Sequence, residues 1–186
     1  MSSISLWKNI FRQRDEQGDI TTFLVKVPIF KNLSHSELNL VKNVVHLRKY
    51  QPEEVIFMEG QPGTGMYIIT AGGVDISLNY RRPNQINLAH MQVGDFFGEL
   101  SLLDESPRSA TAVTVGPTEL AGFFRSDLMD VIEKNPILGN KVVLSLAEVL
   151  GERLRATNKE LRGLRERLNN IETQPLEKAV EKTLKA

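Results

Sequence analysis

Residues 97–111 read Phe-Gly-Glu-Leu-Ser-Leu-Leu-Asp-Glu-Ser-Pro-Arg-Ser-Ala-Thr, and they break an otherwise regular run of strand-like segments. Leu100, Leu102 and Leu103 suit a short helix better than a strand. Gly98 opens that turn and, lacking a Cβ, lets the backbone come close to a ligand. Glu99 stands at the helix start, and Arg108 follows nine positions later, after Pro107 has turned the chain back. A helix inserted into a run of strands calls for a reason.

Anion binding is one such reason. A helix N-terminus carries unpaired N–H groups and the positive end of a dipole, so anionic phosphate settles there. Arginine adds a fork that grips two phosphate oxygens. An ionised glutamate only accepts hydrogen bonds, as from a ribose hydroxyl. One arginine and one helix end match one negative charge. A phosphodiester with a sugar attached fits that set better than a triphosphate, which calls for more cations and Mg²⁺. On spacing alone, a surface ion pair between Glu99 and Arg108 beside a turn serves equally well.

Outward from this stretch, short β-rich runs alternate with Gly and Pro punctuation between residues 50 and 124. The runs are Val55–Met58, Met66–Thr70, Val74–Leu78, Ile86–Met91, Ala110–Val115 and Glu119–Phe124. Strands at this spacing predict an antiparallel sandwich or barrel. Helical patterns flank it. Residues 1 to about 47 read as helical, and Ser34 with Glu37 forms a capping box. A short helix is predicted from Ser126 to Lys134, with a break at Asn135-Pro136. A long helix then reaches Glu172, and Pro175 is expected to stop it. The predicted organisation is an N-terminal arm (1–24), a β-barrel domain (25–135), a long helix (136–172) and a tail (173–186).

The stretch from Phe97 to Thr111 resembles the phosphate-binding cassette of cyclic-nucleotide-binding domains, whose pattern is close to F-G-E-L-A-L-x-x-x-x-P-R-A-A-T. Phe97, Gly98, Glu99, Leu100, Leu102, Pro107, Arg108, Ala110 and Thr111 match it letter for letter, with Ser101 and Ser109 at two alanine positions. Pro28–Ser34, Glu54–Gly60 and Val93–Gly98 resemble further segments of that family. The likeness covers about residues 25 to 160. It implies a mainly β fold with flanking helices: a double-stranded β-helix, or jelly-roll, barrel followed by a long C-terminal dimerisation helix. It also implies that Glu99 takes the ribose 2′-hydroxyl and Arg108 the cyclic phosphate. Phe97, Gly98, the backbone at Leu100 and Ser101, and Ser109 and Ala110 complete the expected shell. The chain departs from the pattern at Thr64-Gly65 and at Gly73, where acidic residues are common; these positions bear on turn geometry. Ser109 leaves the base open: its hydroxyl suits guanine in some relatives, and serine also stands here in bacterial cAMP receptors. The expected ligand is cAMP, with cGMP the alternative, and no other cofactor is implied.

The long helix carries a heptad pattern. Val143, Ala147, Leu150, Leu154, Thr157, Leu161, Leu164, Leu168 and Ile171 recur at spacings of four and three. With Leu154, Leu161 and Leu168 at a, the g residues Glu160 and Arg167 oppose e residues Arg165 and Glu172 of opposite charge. That predicts a parallel two-stranded coil, although Gly151 and Gly163 lower helix propensity. At about 1.5 Å per residue the helix outruns a small barrel beyond residue 156, so a homodimer is expected. Arg153–Asn158 resembles the dimer helix of the catabolite activator protein family, in which polar residues meet the base. Thr157 and Asn158 are therefore candidates for base contact.

Composition narrows the rest. The 186-residue chain has 23 basic and 23 acidic residues, so no net charge draws it to nucleic acid or an anionic membrane. It has no cysteine, and the N-terminal residues show neither a signal-peptide core nor a membrane span. A cytoplasmic protein is expected. A metal-dependent jelly-roll enzyme would want clustered ligands, yet His35, His46 and His90 lie apart, with His35 and His46 in or beside a helix. No metal site and no catalytic residues are predicted, so the protein is read as a non-enzyme. About 14 residues after Glu172 are too few for a helix-turn-helix, so a DNA-binding role is not expected. The expectation is a stand-alone sensor that signals to a downstream protein partner through its C-terminal helix. A degenerate orphan fold serving as a scaffold, or a DNA-associated regulator, are the alternatives.

Overall fold

The central strands bury residues on both faces rather than alternating between core and solvent. In the computed structural model, backbone is described for residues 20–184 and side chains for residues 20–169. Eight strands form: β1 (His46–Tyr50), β2 (Val55–Phe57), β3 (Gly65–Ala71), β4 (Gly73–Leu78), β5 (Ile86–Gln92), β6 (Phe96–Phe97), β7 (Thr111–Thr114) and β8 (Thr118–Phe124). They make two four-stranded sheets, ordered β1-β8-β3-β6 and β2-β7-β4-β5, with every pairing antiparallel. This is the jelly-roll arrangement expected from the resemblance. Tyr50, Ile69, Val74, Phe97, Ala112 and Leu120 are buried together at the core, with Phe57, Tyr67 and Met91 packed against them.

Among the described residues, three helical pieces precede the barrel: α1 (Thr21–Leu24), a 3₁₀ turn at Pro28–Phe30, and α2 (His35–Lys42). Ser34 and Glu37 form the predicted capping box: the Ser34 N–H donates to Glu37 Oε2 at 2.8 Å, and Ser34 Oγ accepts from the Glu37 N–H. One predicted feature differs. The chain is a strand, not a helix, by His46, which therefore lies in β1 rather than beside a helix. β1 is an edge strand exposed at four of its five residues, so no apolar alternation marks it and its pairing to β8 rests on backbone hydrogen bonds. β6 has only two residues, too few to show a period. The predicted N-terminal arm, residues 1–24, lies almost wholly outside the described residues.

After the barrel come α3 (Arg125–Lys134) and α4 (Pro136–Leu184). Asn135 separates them, and its Oδ1 accepts a hydrogen bond from the Leu138 N–H at 3.2 Å, capping α4. Pro136 then takes the first helical position, where no N–H is required. α4 continues through Pro175, where the sequence predicts a stop and a tail. A proline removes one backbone donor, and the following Leu176-Glu177-Lys178-Ala179 are strong helix formers. No helix among the described residues is long and apolar enough to cross a membrane.

The chain divides into two compact units, residues 1–146 and 147–186. Within the first, the start of α4 buries Leu138, Val142 and Leu146, spaced by four. Lys141 Nζ donates to both Glu37 carboxylate oxygens at 2.8 and 3.0 Å, and Asn32 Nδ2 donates to Ser145 Oγ at 3.1 Å. The Lys141 ammonium, with the Ser34 backbone and hydroxyl, lowers the Glu37 pKa from 4.5 to about 2. The unfolded chain then binds more protons than the folded one between those values, so stability rises with pH there. This contribution is complete above about pH 4.5 and is lost as pH falls toward 2. Thermal unfolding followed from pH 5 to 2 is expected to show a shallower acid slope in Lys141→Met than in the wild type. Equal slopes would show that the pair does not couple α2 to α4.

Candidate ligand-binding site

The residues after β6 turn sharply. Gly98 sits at φ 76°, a left-handed conformation that glycine adopts without strain, and caps a 3₁₀ helix at Glu99–Leu102. The short helix expected between the strands is therefore present, tighter than an α-helix. A Cβ on Gly98 would lie 2.6 Å from Arg108 Nη1 and 3.2 Å from the Gly65 carbonyl oxygen. The backbone thus approaches the arginine as closely as a glycine permits.

Arg108 is 6% exposed, and three hydrogen bonds hold its guanidinium. Nη1 donates to the Gly98 carbonyl at 3.1 Å and to Ser101 Oγ at 2.9 Å, and Nη2 donates to the Gly65 carbonyl at 2.7 Å. The guanidinium carbon lies 4.0 Å from the centroid of the Phe57 ring, within cation–π range. Phe57, Tyr67 and Phe97 pack ring to ring at 5.7–6.0 Å. Burial lowers the Arg108 pKa, opposed by Tyr67 and Glu99 nearby. An arginine starts so far above neutrality that it keeps its charge. Its buried Nε–H has no hydrogen-bond partner among the described residues. An orphaned charged donor of this kind is costly unless something binds it.

The predicted shell residues fall into two groups. Phe97, Glu99, Ser101, Arg108 and Ala110 are buried in the first unit, close to one another in the chain's turn. Leu100, at 51% exposure, and Ser109 face outward, and Gly98 is intermediate. Glu99 and Arg108 are not the surface ion pair that spacing alone allowed, since both are 6% exposed. Thr157 and Asn158 are exposed on α4 in the second unit.

Sequence reading missed the turn at residues 58–65. Gly60 N–H donates to the Arg108 carbonyl at 2.9 Å, and Arg108 N–H donates to the Gln61 carbonyl at 2.8 Å. Pro62 and Pro107 bridge the same pair of segments, and Gly65 binds the guanidinium itself. This turn therefore holds the cassette arginine, rather than bearing on turn geometry alone. The one available signal was the density of glycines at 60, 63 and 65, which marks close backbone approach. Nothing pointed to Phe57, whose role depends on which ring the fold sets beneath Arg108.

The wall of this antiparallel jelly roll thus carries a buried arginine and a buried glutamate behind a left-handed glycine. Residues 47–135 match the family described as cyclic nucleotide-binding domain. Residues 47–135 form a domain of this family. The cyclic AMP receptor protein of Thermus thermophilus is 35% identical over 134 residues, covering 72% of this chain and 60% of that protein. The crystal structure of the Thermus thermophilus catabolite activator protein superposes with a TM-score of 0.66 at 36% identity, covering 74% of this chain and 62% of that one. A cyclic nucleotide-binding domain from Methylobacillus flagellatus superposes with a TM-score of 0.66 at 27% identity, covering 76% of this chain and 79% of that one. The chain thus spans less than two thirds of the length of the Thermus proteins it matches.

Proposed function

We propose that this protein is a regulatory sensor that binds a cyclic nucleotide, cAMP in preference to cGMP, and passes the signal to a protein partner. The observation that carries this reading is the Arg108 Nε–H, a buried cationic donor with no hydrogen-bond partner among the described residues. A cyclic phosphate brings one negative charge and two exocyclic acceptors to such a donor. Glu99 receives the ribose hydroxyl, and the N–H groups at the start of the Glu99–Leu102 turn complete the phosphate shell. The name of the Thermus relative, a cyclic AMP receptor protein, supports adenine over guanine. Calorimetric titration with cAMP and with cGMP tests the reading. Saturable binding at micromolar concentration or below supports a sensor, and the tighter ligand names the base. Heat from neither, with folded and nucleotide-free protein, sinks it and leaves an orphan scaffold.

The output proposed for the sensor is the C-terminal helix. Leu154, Leu161, Leu164 and Leu168 are 62%, 44%, 49% and 58% exposed on α4, on the seam that the heptad pattern assigns to a second copy. Solvent-facing leucines in register are the sequence and surface expected of a coiled-coil partner face. In a homodimer Thr157 and Asn158 would be placed to meet the base, coupling occupancy to helix position. Leu161→Glu sets two like charges across that seam. Sedimentation is expected to give a dimer for the wild type and a monomer for the variant. A monomeric wild type would remove dimerisation from the proposal.

A further inference from the structure

Ser101 is a serine at 4% exposure, and a buried hydroxyl needs a partner. Its partner is the guanidinium: Oγ accepts from Arg108 Nη1 at 2.9 Å. The space for that hydroxyl is made by Gly63, on which a Cβ would lie 2.0 Å from Ser101 Oγ and 2.8 Å from Ser101 Cβ. Glycine at 63 and serine at 101 are therefore one arrangement, with the hydroxyl wedged between the 58–65 turn and the arginine.

This arrangement decides which donors Arg108 has left. A guanidinium carries five N–H groups. Both on Nη1 are taken, by the Gly98 carbonyl and Ser101 Oγ, and one on Nη2 is taken by the Gly65 carbonyl. Nε–H and one Nη2–H remain. Arginine is a long side chain with many rotamers, and ordering it only when a ligand arrives weakens binding. Without the Ser101 acceptor, one Nη1 hydrogen would be unpaired and the plane freer to swing over the Phe57 ring.

We propose that Ser101 Oγ is a positioning residue, which locks the Arg108 guanidinium so that its Nε–H side is presented to the anionic group of the ligand before binding. The proposal rests on the reading of Arg108 as the phosphate ligand. The assignment concerns the side chain of Ser101, apart from any part its backbone N–H plays.

Two measurements test it. The first is calorimetric titration with cAMP of the wild type, Ser101→Ala, Arg108→Lys and the double variant. Ser101→Ala removes one oxygen and is expected to weaken binding about 5- to 20-fold, with a fall of a few degrees in the thermal midpoint from the buried Nη1 hydrogen it leaves unpaired. In the Arg108→Lys background the same change is expected to make no further difference, because the fork it positions is gone. The second is the arginine Nε–H signal in a ¹⁵N–¹H spectrum without ligand. The Arg108 peak, assigned by its absence in Arg108→Lys, is expected to be resolved and slow to exchange in the wild type, and lost or averaged in Ser101→Ala. An unchanged peak in Ser101→Ala overturns the proposal, as does wild-type affinity in that variant or an undiminished loss in the lysine background. If the wild type binds no cyclic nucleotide, the functional reading fails on its own, and the ligand-free spectrum still decides whether Ser101 fixes Arg108.

Discussion

Replacing Arg108 with alanine is expected to weaken cyclic-nucleotide binding by about 10- to 150-fold, the loss of a charge-assisted interaction of about 1.5–3 kcal/mol. Arg108 is buried, so its charge acts on a ligand through little intervening water, and its fork is already oriented by Gly98, Ser101 and Gly65. The alanine variant also leaves the Gly98 and Gly65 carbonyls without their guanidinium donor, so some stability is lost with the affinity. Arg108→Lys separates the two effects. It keeps the positive charge and gives up the planar fork, and an affinity between those of alanine and wild type is expected. Titration calorimetry with cAMP, beside a thermal melt of each variant, reads both. A folded Arg108→Ala protein with wild-type affinity would remove Arg108 from the binding site.

The largest stability effect is expected at Phe123. Its ring is fully buried on β8 and meets the Phe30 ring edge-on, with centroids 5.8 Å apart. Phe30 belongs to the 3₁₀ turn at Pro28–Phe30, so this contact fastens the helical entry segment to the barrel wall. Ile29 and Leu24 are also fully buried there. Truncating such a ring to alanine removes its transfer free energy and leaves a cavity, costing about 3–5 kcal/mol. That corresponds to a fall of about 6–20 °C in the unfolding midpoint. Differential scanning calorimetry of Phe123→Ala against the wild type measures it. A fall of about 1 °C would show that the site collapses around the smaller residue.

Much of the barrel was legible because its strands announce themselves twice, by short apolar runs and by glycine and proline between them. Val74–Leu78 and Glu119–Phe124 became β4 and β8 with shifts of one residue at an end. His46–Tyr50 was not legible: His46-Leu47-Arg48-Lys49 faces solvent, so burial imposes no pattern on it. The cassette was legible for a different reason. Gly98, Glu99, Pro107 and Arg108 sit within one short stretch, and each residue type has few local uses. The helix end was not legible at Pro175, because one missing N–H is outweighed by the helix formers that follow.

What the chain determines by itself is local: the turn that Gly98 must make, the capping box of Ser34 and Glu37, and the presence of an arginine and a glutamate in one stretch. These follow from conformational preference and spacing, which act between near neighbours. The state of that arginine was decided elsewhere. Its acceptor Gly65 lies 43 positions away, and its ring partner Phe57 lies on the opposite sheet from Tyr67. Only the closing of two sheets brings them together, and only burial turns Arg108 from a surface cation into a desolvated donor. Distant segments meet because folding hides apolar area, and no local signal records which of them will meet.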